Sequence, residues 1–166
     1  MAYYFKLEGN ALAAYNKMVH VLIDKAMREL KLPREEVVVR PLRPEDVGLT
    51  TPVWTFNVAS ANAWNIMINE KIINDNRFVG INGVLYGESG TGAVTQLEIT
   101  RQGEIKRYWQ VQDVNFLEDA AVFFDDPVTV DQNTTITVKG YATAIEADLR
   151  LSFLGAVAEK RGLLIS

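Results

Sequence analysis

The sequence predicts a mainly β domain: a sandwich of eight or nine short strands preceded by one amphipathic helix. Three observations predict it. Apolar and polar residues alternate along most of the chain after Pro52, turn-forming residues interrupt that alternation at intervals of about ten residues, and helical spacing recurs in one window near the N-terminal end.

That window runs from about Asn10 to Leu32, where Leu12, Tyr15, Val19, Leu22, Ile23, Ala26 and Leu30 repeat at spacings of three and four. Asn10 is the expected N-cap, Pro33 forbids continuation, and Arg28 and Lys31 suit the negative end of the helix dipole. Met18 and Val21 widen the apolar stripe beyond one face, so the helix is expected to touch a second neighbour as well as its own sandwich. Tyr15, Met18, Val21 and Leu22 are therefore candidate interface residues.

Val37-Val38-Val39 is a β-branched run, and Pro41 and Pro44 then break the chain into a loop. Residues 1–33 read as the helical segment, 34–51 as a proline- and charge-rich connection, and 52–166 as the sandwich, all within one domain. From Pro52 the period is two. Trp54, Phe56 and Val58 share one face; Trp64, Ile66 and Ile68 alternate with Asn65, Met67 and Asn69. The pattern continues through Ala93–Ile99, Ile105–Val111, Ile136–Val138 and Leu149–Val157. Asp75-Asn76, Asn82-Gly83, Gly87–Gly92, Gln102-Gly103, Asp126-Pro127 and Asp131-Gln132-Asn133 are the expected turns.

Composition narrows the chemistry. With 166 residues, 48% of them hydrophobic, the chain can bury a core without metal or disulfide. Its net charge of -4, with basic residues interleaved among acids as in Arg34-Glu35-Glu36, offers no phosphate-binding stripe, so direct nucleic-acid contact is not expected. The absence of cysteine removes thiolate catalysis and Cys-based zinc sites. Met1 to Lys6 lack the charged leader and apolar stretch of a signal peptide, and no run is apolar over the length a transmembrane helix requires.

The motifs that could carry reactions have simpler readings. His20, the only histidine, lies in the helix, where a side chain on the helix edge is the ordinary outcome. Gly87-Glu88-Ser89-Gly90-Thr91-Gly92 resembles a phosphate loop in composition, but a strand follows where such loops need a helix, and no Gly-Lys-Ser/Thr ends it. Glu118-Asp119, Asp125-Asp126 and Asp131, near Asn133, could hold calcium or act as paired acid and base carboxylates. They lack the calcium-loop spacing and fit solvated turns. Asn133-Thr134-Thr135 matches a glycosylation acceptor, here within a strand-opening turn. No enzyme activity and no cofactor are expected.

Trp54, Trp64 and Trp109 could form a sugar-stacking platform, but all three lie in phase with the apolar face and are expected in the core. Tyr108 and Tyr141 fall out of phase and are expected on the surface, at an interface or a ligand face.

The segment from Ala121 to Tyr141, in which Asp131-Gln132-Asn133 launches a Thr/Val strand, and the closing stretch from Leu149 to Gly162 are similar to the terminal strands of small viral jelly-roll proteins. With its strand count and N-terminal helix, the chain resembles the single-jelly-roll capsid proteins of icosahedral, membrane-containing viruses of bacteria and archaea. The resemblance implies a single jelly roll, a self-assembling virion subunit without catalytic residues, and partners that are copies of itself and other virion proteins. Outside a virion, the expected location is cytoplasmic or is left open. The alternative is a carbohydrate-binding or host-attachment module that reaches a carbohydrate receptor through loops and exposed aromatics.

Overall fold

The computed structural model describes residues 8–87, 92–117 and 120–163. Met1 to Lys6, Glu88 to Thr91 of the glycine-rich stretch, and Glu118 and Asp119 of the acidic cluster lie outside the described residues.

The helix α1 spans Gly9–Leu30, so it starts before the expected cap at Asn10, and Glu8 at its head makes no side-chain cap bond. It stops where Lys31 turns left-handed (φ 55°) and both Lys31 and Leu32 donate backbone N–H groups to the Met27 carbonyl. Pro33 then prevents resumption.

Among the described residues nine strands follow: β1 (Val37–Pro41), β2 (Thr55–Val58), β3 (Ala63–Ile72), β4 (Arg77–Tyr86), β5 (Val94–Arg101), β6 (Glu104–Gln110), β7 (Ala121–Val130), β8 (Thr135–Ala142) and β9 (Glu146–Lys160). One sheet runs β1-β9-β4-β7, with β2 also paired to β9; the other runs β3-β8-β5-β6. Every pairing is antiparallel. The mainly β sandwich with one N-terminal helix stands as the sequence predicted it. Between the sheets lies the principal core, which includes Phe56, Ile68, Ile81, Leu97, Ile99, Trp109, Leu149, Leu151 and Phe153.

The stretch read as a connection between helix and sandwich is part of the sandwich. Val37–Pro41 pairs with the second half of β9, from Val37 opposite Lys160 to Pro41 opposite Ala156. The β-branched run had marked a strand, and Pro41 ends it at a sheet edge, where a missing N–H costs nothing. Asp126-Pro127 and Asn82-Gly83, read as turns, instead form one irregularity inside the β4–β7 ladder. Ile81 pairs with Val128 and Gly83 with Phe123, so four residues of β7 bow out opposite Asn82. The edge position of β7 tolerates both the bulge and its proline.

The helix lies on the outer face of the β1-β9-β4-β7 sheet. Tyr15, Met18, Leu22 and Ala26 form a second buried cluster with Val37, Phe78, Ala156 and Ala158. Small residues admit it: a Cβ on Gly80 would stand 2.7 Å from the Met18 sulfur and 2.9 Å from Leu22 Cδ1. Lys25 fastens the flank, its Nζ donating to Asp131 at 2.9 Å and to the Thr129 hydroxyl at 3.3 Å.

This corrects the interface assignment of Tyr15, Met18 and Leu22. All three are buried against the chain's own sheet. Helical periodicity shows that a side chain needs burial but not which surface buries it, and here a sheet face floored by Gly80, Ala156 and Ala158 does so. Val21 alone of the four helix candidates is exposed. Met18→Ala is expected to cost about 2–3 kcal/mol of subunit stability in urea denaturation, in the range for a buried methionine, while leaving the mass of any assembly unchanged. An interface residue would give the opposite pattern.

Candidate functional site: the open face of the four-stranded sheet

The two outer faces of the sandwich differ. One carries the helix; the other, on β3-β8-β5-β6, has no layer over it among the described residues, yet it is rich in aromatic and apolar side chains.

Bulges in β3 create this face. Ile66 pairs with Lys139 and Ile68 with Val138, so Met67 is an extra residue that reverses the phase of the strand. Beyond it Ile68 points into the core; before it Trp64 and Ile66 point outward, 40% and 55% exposed. Trp64 is thus not the core residue that its alternation with Ile68 suggested. The inward position beside it belongs to Asn65, whose buried amide accepts from the Ser60 N–H at 3.0 Å and donates to the Ser60 and Ala63 carbonyls at 2.9 and 3.1 Å.

The neighbouring strand β8 keeps strict alternation. On β8, Ile136, Val138, Gly140 and Ala142 are buried, leaving Thr137, Lys139 and Tyr141 on the outer face. On β6, Trp109 is buried and Tyr108 is 52% exposed, the phase expected from sequence. Strand pairing aligns two cross-sheet rows: Trp64, Tyr141, Gln96 and Gln110 in one, Ile66, Lys139, Glu98 and Tyr108 in the next.

Trp64 is the centre of this surface. Its ring stands edge to face with Tyr141 (centroids 5.5 Å, interplanar angle 75°) and with Tyr108 (6.3 Å, 63°). Glu98 stands opposite Tyr108 in the ladder, and hydrogen bonding to its carboxylate, then partial desolvation and its charge, raise the phenol above the usual tyrosine range. Tyr141 is half-buried by its neighbours, so it contributes less free surface than the sequence suggested. The arrangement offers stacking, apolar contact and a few hydrogen bonds.

The other residues singled out from sequence lie elsewhere. His20 and Val21 are exposed on the helix, over the opposite sheet. Asp126 pairs with Arg107 and Asp131 with Lys25, so the acidic residues turn to separate cations, and among the described residues no cluster of three or more metal-ligating side chains forms. Asn133, exposed in its turn, donates its amide to Asp75 at 3.2 Å. Trp54 is half-buried at the core's rim, edge-on to Phe153 at 5.5 Å.

Sequence reasoning missed a buried ionic network. Arg40 grips Asp46 with both terminal nitrogens (2.7 and 2.6 Å) and Glu159 through Nε (2.9 Å), while Arg77 also donates to Glu159 at 3.0 Å. Asp46 in turn accepts the Arg43 backbone N–H at 2.8 Å, capping the short 3-10 helix Pro44–Val47. Burial disfavours the Arg40 charge, but the bonds from Asp46 and Glu159 outweigh it and hold the guanidinium protonated above its ordinary value. The one signal in the sequence was an arginine directly after a β-branched run.

No protein-family model and no curated protein matches the chain. Among the described residues, no helix is long and apolar enough to cross a membrane.

Proposed function

We propose that the chain is a structural, non-catalytic subunit that assembles with copies of itself, built as a single jelly roll of the kind that forms virus capsids. The observation that carries this reading is the uncovered aromatic and apolar face around Trp64, Ile66 and Tyr108. A contiguous exposed patch of large apolar side chains marks a contact surface, because leaving it in water forfeits the free energy that burial supplies. Its make-up, aromatic at the centre with Glu98, Lys139 and Gln96 around it, matches the anatomy of protein interfaces.

Strand order supports the jelly-roll part. With β2 set aside as an added edge strand, the remaining eight strands run first-eighth-third-sixth in one sheet and second-seventh-fourth-fifth in the other, the arrangement of a jelly roll. Jelly rolls serve both capsid proteins and lectins, so a second reading stands beside the first. The tyrosines set steeply against Trp64, with polar groups close by, also suit a saccharide ring stacked on the indole, as in a carbohydrate-binding or attachment module.

Light scattering on the purified chain separates the two. A mass that is a defined multiple of the subunit, or closed particles, is the expected result and supports the self-assembling subunit. A monomer at all concentrations that binds oligosaccharides on a glycan array would favour the attachment module.

A further inference from the structure

On the other sheet, beyond the end covered by the helix, Val53, Trp54, Thr55, Gly87, Arg150 and Ser152 line an open pocket of about 360 Å³. It forms where β2 pairs with the first half of β9, Thr55 standing opposite Arg150, and where Gly87 extends β4 by donating its N–H to the Arg150 carbonyl at 2.9 Å. This volume is within the range of small-molecule sites. We propose that the pocket binds a small organic carboxylate bearing an aromatic or branched apolar group.

Three features lead to that ligand class. Arg150 makes no side-chain hydrogen bond or ion pair among the described residues, in contrast to Arg40, Arg77 and Arg107, each held by a carboxylate. Its guanidinium is a two-pronged donor matched to a carboxylate, and a single arginine balances a single negative charge where a phosphate would bring nearly two.

Gly87 positions that arginine. A Cβ at residue 87 would stand 2.6 Å from Arg150 Cβ and 3.2 Å from its Cδ, so the absent side chain leaves the space in which the arginine stem lies against the backbone. The stem thus lies over the Gly87 backbone while Arg150 as a whole is exposed, open to a ligand from solvent. Trp54 and Val53 supply the apolar wall, Trp54 steadied by its edge contact with Phe153, and the Thr55 and Ser152 hydroxyls offer further hydrogen bonds.

The test is isothermal titration calorimetry on the full chain with phenylacetate, its neutral analogue phenylacetamide, and inorganic phosphate. Phenylacetate is expected to bind saturably at one site per chain, with phenylacetamide and phosphate each weaker by at least about tenfold, the scale of one charge-assisted bond. Arg150→Gln should weaken phenylacetate by a similar factor, Gly87→Ala should weaken it by displacing the arginine, and His20→Ala, exposed on the helix and outside both surfaces, should leave it unchanged. Circular dichroism verifies that each variant is folded. The proposal fails if phenylacetate does not bind, if the amide or phosphate binds as well as phenylacetate, or if folded Arg150→Gln keeps full affinity.

Discussion

Glu159→Ala is expected to lower subunit stability by about 3–5 kcal/mol, the range for removing one partner from a buried ion pair. Glu159 is 1% exposed and accepts from two arginines, Arg40 and Arg77. Without it, Arg77 loses its carboxylate and Arg40 must share its charge with Asp46 alone, in a place where water does not reach. The penalty is thus chiefly that of stranding positive charge, and it differs from the net worth of the network. Replacing the set together by apolar residues of similar volume, as in Arg40→Met and Arg77→Met with Asp46→Leu and Glu159→Met, should cost far less than the single change. Urea denaturation of the two variants checks both statements. A loss below about 1 kcal/mol for Glu159→Ala would mean that the charges are solvated after all.

Trp109→Ala should cost about 3–5 kcal/mol, as expected for a large aromatic lost from a core. Trp109 pairs across the ladder with Leu97 and stacks on Phe124 with ring centroids 4.4 Å apart and planes within 9°, so it joins β6 of one sheet to β7 of the other. Tyr108→Ala, one residue away on the open face, should cost under about 1 kcal/mol in the isolated subunit. Equal losses from the two variants would mean that the strand's phase is not what the burial indicates.

Much of the architecture was legible because half-covered strands advertise themselves by alternation. β5, β8 and β9 have one face on the core and one facing outward or lined with small residues, and their periodicity of two gave them away. β4 escaped for the converse reason: seven consecutive buried residues, Phe78 to Val84, lie between core and helix, so no alternation exists to be read. The helix was legible as a helix, but its partner was not, since only the fold shows that Gly80, Ala156 and Ala158 make a bed for it.

The candidate site was half legible. Tyr108 was placed outward by simple phase in a regular strand. Trp64 was misplaced because Met67 inserts a bulge, and a one-residue bulge sends every earlier side chain to the opposite face. Composition around Met67 carries no signal for it. The Arg40 network was hidden for a different reason: Asp46 lies six residues on in a short 3-10 helix, but Arg77 on β4 and Glu159 on β9 are far away in the chain, and no periodic spacing links the set.

On the reading proposed above, the face bearing Trp64, Ile66 and Tyr108 joins one subunit to the next. Sedimentation velocity of the native chain and of the Trp64→Ser, Tyr108→Ser double variant, at matched concentrations and with urea unfolding as a check on subunit stability, tests it most directly. The native chain should sediment as a defined oligomer or particle, and the variant, still cooperatively folded, should sediment as a monomer or a much smaller species. A stable variant that assembles like the native chain, or a native chain that remains monomeric throughout, would contradict the account.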